Sequence, residues 1–147
     1  MSLWIYVIII YMGTNDYGYG VPISCYHSDA AMVSHENKYF DVAYETMLKA
    51  VCSQYPKAEI WCCTLCPGRV KGSAKSTFPY QLHGIPFGAY NQVIRDTAEK
   101  YGCRVIDFSK YKVEYEAMDG THPTVTGMSE IADMVIREMS IQNSFLV

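Results

Sequence analysis

Residues 4–12 read WIYVIIIYM, an almost unbroken apolar run. That is the pattern of a parallel strand buried on both faces. It ends in Gly13-Thr14-Asn15-Asp16, a cluster of turn residues. Residues 17–37 are rich in Gly, Ser, Tyr and His and show no period, which predicts a long loop. A loop of that length inside a compact domain is often functional. Phe40, Ala43, Tyr44, Met47, Leu48 and Val51 recur at helical spacing, predicting an amphipathic helix over 38–55, with Pro56 just past its end. Ile60 to Leu65 is a second apolar strand, stopped by Cys66-Pro67-Gly68, and 67–84 is a polar loop. Pro86 suits a first helical turn. Phe87, Tyr90, Ile94, Ala98 and Tyr101 make the second helix, which Gly102 ends. Val105 to Phe108 is a third strand and 109–123 a loop. Met128, Ile131, Ala132, Val135 and Met139 give the last helix.

Strand and helix therefore alternate three times. That order implies an α/β fold, a parallel sheet joined by right-handed crossovers. The chain has 147 residues, half of them hydrophobic and 18% charged, which suits one globular domain over 1–147. A net charge of −3 without a basic patch argues against nucleic acid as a partner, since phosphate binding needs clustered Lys and Arg. The run from Leu3 to Met12 is too short to span a membrane, and no Lys or Arg precedes it as in a signal peptide. The six cysteines permit disulfides, but Cys62, Cys63 and Cys66 crowd one strand, where neighbours point to opposite faces. Reduced thiols in a cytoplasmic protein are the expectation. Cys63-Thr64-Leu65-Cys66 lacks a second ligand pair, so buried thiols are expected rather than a metal site. His27, His35 and His83 have no ligand-like spacing.

In open α/β sheets, sites gather beyond the carboxyl ends of the strands. Two polar clusters fall there: Gly13-Thr14-Asn15-Asp16, and Asp119-Gly120-Thr121-His122-Pro123. An Asp three residues before a His on a tight Gly turn accepts a hydrogen bond from Nδ1–H. That leaves Nε2 free as a general base. The Asn15 amide offers donors for an oxyanion. Base, orienter and oxyanion donor make up most of an acyl-transfer site. Taken singly, the first cluster reads as an ordinary strand-end turn and Asp119 as a helix cap.

Together the two blocks resemble those of the SGNH (GDSL-type) esterases and lipases. VIIIYMGTND is similar to that family's strand running into Gly-x-Asn-Asp, and DGTHPTVTGMSEIADMV to its Asp-x-x-His-Pro block with the final helix. FDVAYETMLKAVCSQYPKAEIWCCTLCP and FGAYNQVIRDTAEKYGCRVIDF resemble the helix–strand units between them. The resemblance implies a three-layer, flavodoxin-like fold and hydrolysis of acyl or acetyl esters. It makes His122 the base, Asp119 its partner, Asn15 the oxyanion donor and Gly13 the turn beneath the site. Tyr17 and Tyr19, beside Asn15, are candidates to line a substrate cleft. No metal or organic cofactor is implied.

The family's Gly-Asp-Ser nucleophile block has no counterpart here. Two β–α units, roughly 60 residues, are expected to be missing, and the serine to lie outside the chain. Ser2 stands at the wrong end of the strand to substitute; Ser24 and Ser28 lie in the loop after Asn15, and nothing marks them as activated. With the neighbouring strand absent, residues 4–11 are expected to be an exposed edge through which the chain forms homo-oligomers. The rival reading is a non-catalytic α/β module that keeps the pocket and only binds or assembles.

Overall fold

The computed structural model describes residues 6–26 and 39–144. In chain order the elements are β1 (Val7–Ile10), α1 (Thr14–Tyr19), α2 (Phe40–Gln54), β2 (Glu59–Cys63), β3 (Gly68–Val70), β4 (Gln81–Leu82), β5 (Ile85–Pro86), α3 (Phe87–Lys100), β6 (Arg104–Ile106), β7 (Tyr115–Ala117) and α4 (Val125–Ser144). A 3₁₀ turn, Phe108–Tyr111, follows β6. The chain gathers into two compact units, residues 1–65 with 80–105, and residues 66–79 with 106–147. No helix among the described residues is long and apolar enough to cross a membrane.

The first unit is built on a three-stranded sheet in the order β1-β2-β6. β1 and β2 are parallel, in register from Val7 opposite Glu59 to Ile10 opposite Cys62. A parallel pair needs a crossover, and α2 supplies it. Leu48 of α2, Trp61 of β2, and Tyr90, Ile94 and Ala98 of α3 are buried completely. The 3.6-residue spacing of these helical positions is what turns one face inward. Asn91 is the polar member of that face. Its Oδ1 accepts from the Leu65 N–H at 2.7 Å and its Nδ2 donates to the Leu65 carbonyl at 3.2 Å. Those two bonds hold the chain just past β2, where the ladder has stopped. Arg104 lies over the Trp61 ring and pairs with Glu59 at 3.1 Å, tying β6 to β2.

The second unit pairs β3 with β7 in parallel, Gly68 opposite Tyr115 and Val70 opposite Ala117. α4 packs on β7 and buries Met134 and Glu138. Glu138 is almost wholly enclosed, and it is satisfied by the Tyr111 hydroxyl at 2.8 Å and Lys110 at 3.3 Å.

The helices expected over 38–55, after Pro86 and at the C-terminus are present, as are the three main strands. Three expectations need correction. Residues 17–19 are helical rather than loop, because α1 starts directly after Gly13. Burial of Tyr17 against Phe87 and Tyr90 outweighs the poor helix propensity of Gly18. The loops expected over 67–84 and 109–123 contain β3, β4 and β7, which are too short to show a period in sequence. The third strand ends at Ile106, and Phe108 begins the 3₁₀ turn, since the Asp107 carboxylate accepts from the Ser109 N–H and caps it. Trp4, His27, Ser28 and His35 lie outside the described residues.

Candidate active site

In the first unit Gly13 sets the corner that carries Asn15. Its φ is +119°, in the left-handed region that favours glycine. A Cβ there would also stand 3.0 Å from the Phe40 ring and 3.4 Å from Leu65. The chain therefore leaves β1 beneath a tight corner and enters α1 at once. The Tyr17 N–H closes its first turn on the Gly13 carbonyl at 3.0 Å. That register sets Asn15 on the exposed side and Tyr17 on the buried side. Gly20 ends the helix, and the Tyr90 hydroxyl donates to the Val21 carbonyl just beyond it. Burial pushes the Asp16 carboxyl up, against the pull of a backbone hydrogen bond.

Tyr17, a candidate to line a substrate cleft, is 2% exposed, with its ring edge-on to Phe87 and Tyr90. It is a core residue, and its ring has no surface to offer a substrate. Tyr19 is 75% exposed.

In the second unit the candidate residues lie on the turn between β7 and α4. One Asp119 oxygen accepts from the N–H groups of Thr121 at 3.0 Å and His122 at 2.9 Å. The other accepts from His122 Nδ1 at 2.7 Å. Both atoms of the carboxylate are thus committed, and the imidazole is held with Nε2 turned away from its partner. The bonds from the His122 N–H, from its ring and from the Thr121 N–H hold the Asp119 carboxyl well below the usual carboxylate range. A depressed carboxyl contributes stability above its ordinary pKa of about 4. That contribution fades as the pH falls through the lower folded value. The ring is accessible: the His122 side chain is 70% exposed.

The backbone around this turn is pinned on both sides. The Met118 N–H donates to the His122 carbonyl at 2.8 Å, and the Tyr115 hydroxyl donates to the Thr121 carbonyl at 2.6 Å. Burial pushes the Tyr115 hydroxyl up to about 12, so it stays a donor across the neutral range. Thr124 Oγ1 accepts from the Gly127 N–H at 3.1 Å, capping α4 three residues on. It also donates to the Glu116 carboxylate at 2.6 Å. Glu116, Thr124 and Tyr115 escaped notice in the sequence, and only the Thr-x-x-Gly spacing ahead of the last helix hinted at the cap.

Gly68 of β3 bears on the same turn. A Cβ on it would stand 2.4 Å from the Gly120 carbonyl oxygen and 3.0 Å from the Ala117 side chain. The first of these is backbone and has no rotamer to yield. Gly68→Ala is expected to cost about 1–3 kcal/mol of stability and to shift the His122 ring resonances. Thermal melting and a histidine NMR spectrum check it; an unchanged melt and spectrum would mean the turn moves freely.

Asn15 belongs to the first unit and the Asp119–His122 pair to the second. Ser24 is in the first unit, where its N–H donates to Asp41 at 3.1 Å. Among the described residues no group of three or more His, Cys, Asp or Glu is placed to hold a metal ion.

The sequence profile of the GDSL-like lipase/acylhydrolase family matches residues 6–129. None of the curated proteins matches the sequence. Among solved structures, one crystal structure aligns with a TM-score of 0.66 at 20% identity, over 92% of this chain and 64% of its own. A candidate GDSL-like lipase from Bacteroides ovatus aligns at 0.60 and 19% identity, over 91% of this chain and 53% of its own. A GDSL-like lipase from Bacteroides thetaiotaomicron aligns at 0.56 and 15% identity, over 92% and 62%. These likenesses give the fold, the flavodoxin-like parallel α/β architecture. The chain spans between about half and two thirds of the length of the structures it matches.

Proposed function

This chain belongs to the GDSL-like lipase/acylhydrolase family, and we propose that it is the histidine-bearing part of a serine ester hydrolase. The 2.7 Å bond from His122 Nδ1 to Asp119 carries the reading, because it leaves Nε2 as the acceptor a serine needs. A serine outside these 147 residues attacks the ester carbonyl and gives its proton to Nε2 of His122. Asn15 donates to the oxyanion that forms. The resulting imidazolium, stabilised by Asp119, returns the proton to the departing alkoxide. Water then repeats the sequence on the acyl-serine, with His122 again the base. Acyl or acetyl esters are the proposed substrates, with Tyr19 at the mouth of the cleft. The coding DNA ahead of Met1 tests the reading. An in-frame Gly-Asp-Ser block, labelled in the longer product by a fluorophosphonate, is the expected finding. A stop codon directly ahead of Met1 would favour the non-catalytic module instead.

A second observation bears on assembly. Among the described residues β1 pairs on one side only, with β2. Tyr6, Val7, Ile9 and Met12 are all about half exposed. The strand carries no charge and no proline, the two features that normally blunt an edge. We propose that a second copy pairs with this edge across a two-fold axis, the commonest closed assembly. Light scattering at about tens of micromolar is expected to give a dimer or larger species. A monodisperse monomer would overturn this part.

A further inference from the structure

Two thiols far apart in sequence meet in the first unit. Cys52 lies in the last turn of α2, and Cys103 follows the Gly102 that ends α3. Their sulfurs are 3.6 Å apart. Both residues are partly exposed, whereas Cys62, Cys63 and Cys66 are buried. A cavity of about 350 Å³ is lined by both, with Tyr55, Pro56 and Ile60 beside Cys52 and with Tyr101 and Gly102 beside Cys103. The cavity gives a small reagent an approach to this pair, and the buried Cys62 is not among its lining residues.

We infer that Cys52 and Cys103 are a redox modification site, closing to a reversible disulfide on contact with a low-molecular-weight disulfide such as oxidised glutathione. The Cys52 thiolate attacks one sulfur of the reagent, breaks its S–S bond and releases one glutathione thiolate. The Cys103 sulfur then attacks Cys52 in the mixed disulfide and releases the second. The two cysteine thiols are oxidised by two electrons, glutathione disulfide is reduced to two thiols, and the two cysteine protons end on them. Burial pushes the Cys103 thiol up, and the second attack is intramolecular, between sulfurs that already lie 3.6 Å apart. The sulfurs must close from 3.6 Å to roughly 2.05 Å, a movement within reach of χ1 rotation at two partly exposed side chains. The bond would tie the end of α2 to the turn between α3 and β6. That loop is long enough for the unfolded chain to lose much freedom.

The test is to incubate the purified chain with oxidised glutathione, quench with acid, alkylate the remaining thiols and map the peptides by mass spectrometry. The expected product joins Cys52 to Cys103, is released by dithiothreitol, and melts roughly 5–15 °C higher than the reduced chain. Cys52→Ser should leave Cys103 open to alkylation and abolish the shift in melting. The exposed Cys25 takes up glutathione in both proteins and serves as the reactivity control. The inference is overturned if Cys52 and Cys103 both stay alkylatable while Cys25 reacts. Retention of glutathione on Cys52, or a bond from Cys103 to Cys62, overturns it equally.

Discussion

In a form of the protein that carries the serine, His122→Ala is expected to lower kcat/KM for a short acyl ester by about four to six orders of magnitude. Nucleophile and base act as a unit, so losing the base costs nearly all of the covalent route. Asp119→Asn leaves the ring in place but removes the acceptor that selects the Nδ1–H tautomer, and a loss of about 10⁴-fold is expected. Asn15→Ala removes one oxyanion donor, worth about 10²–10³ in kcat. Steady-state kinetics with p-nitrophenyl acetate reads all three. The ordering matters as much as the sizes: His122→Ala at under tenfold would remove the residue from the chemistry.

The 147 residues by themselves are expected to hydrolyse p-nitrophenyl acetate no faster than their Asn15→Ala, His122→Ala double variant. An imidazole with a free Nε2 still needs a nucleophile beside it. Five serines in the unit that holds His122 direct their hydroxyls elsewhere. Ser76 donates to Glu114 and Ser109 to Asp107, while Ser73, Ser129 and Ser140 donate to backbone carbonyls. Robust turnover that His122→Ala abolishes would reveal a nucleophile within these residues, with Ser24 and Ser28 the first to replace.

The sequence and the structure agree where an element is long enough to show a period. α2, α3 and α4 are legible from their apolar spacing, and β1 and β2 from uninterrupted apolar runs. β3 and β7 are not, because three residues carry no alternation and their pairing joins segments far apart in the chain. α1 is hidden for another reason. Its sequence, Thr-Asn-Asp-Tyr-Gly-Tyr, looks like a turn, and only the burial of Tyr17 against α3 makes it a helix. The same burial takes Tyr17 out of the candidate cleft. The Asp119–His122 bond is readable, since an Asp three residues before a His on a tight Gly turn can accept from Nδ1–H, although the same spacing also allows a helix cap. Its supports are not: Gly68, Tyr115 and Thr124 reach the turn through pairing and capping that no local pattern announces. Cys52 and Cys103 likewise meet only because α2 and α3 pack side by side.

Everything proposed for catalysis rests on one hydrogen bond, from His122 Nδ1 to Asp119. Nitrogen-15 NMR of the His122 ring in the 147-residue chain measures it directly, because a protonated and a bare ring nitrogen resonate far apart. With the imidazole neutral, the expected spectrum has the proton on Nδ1 and Nε2 bare, and Asp119→Asn removes that preference. A neutral ring protonated mainly on Nε2, or one that Asp119→Asn leaves unchanged, would contradict the assignment of His122 as the base.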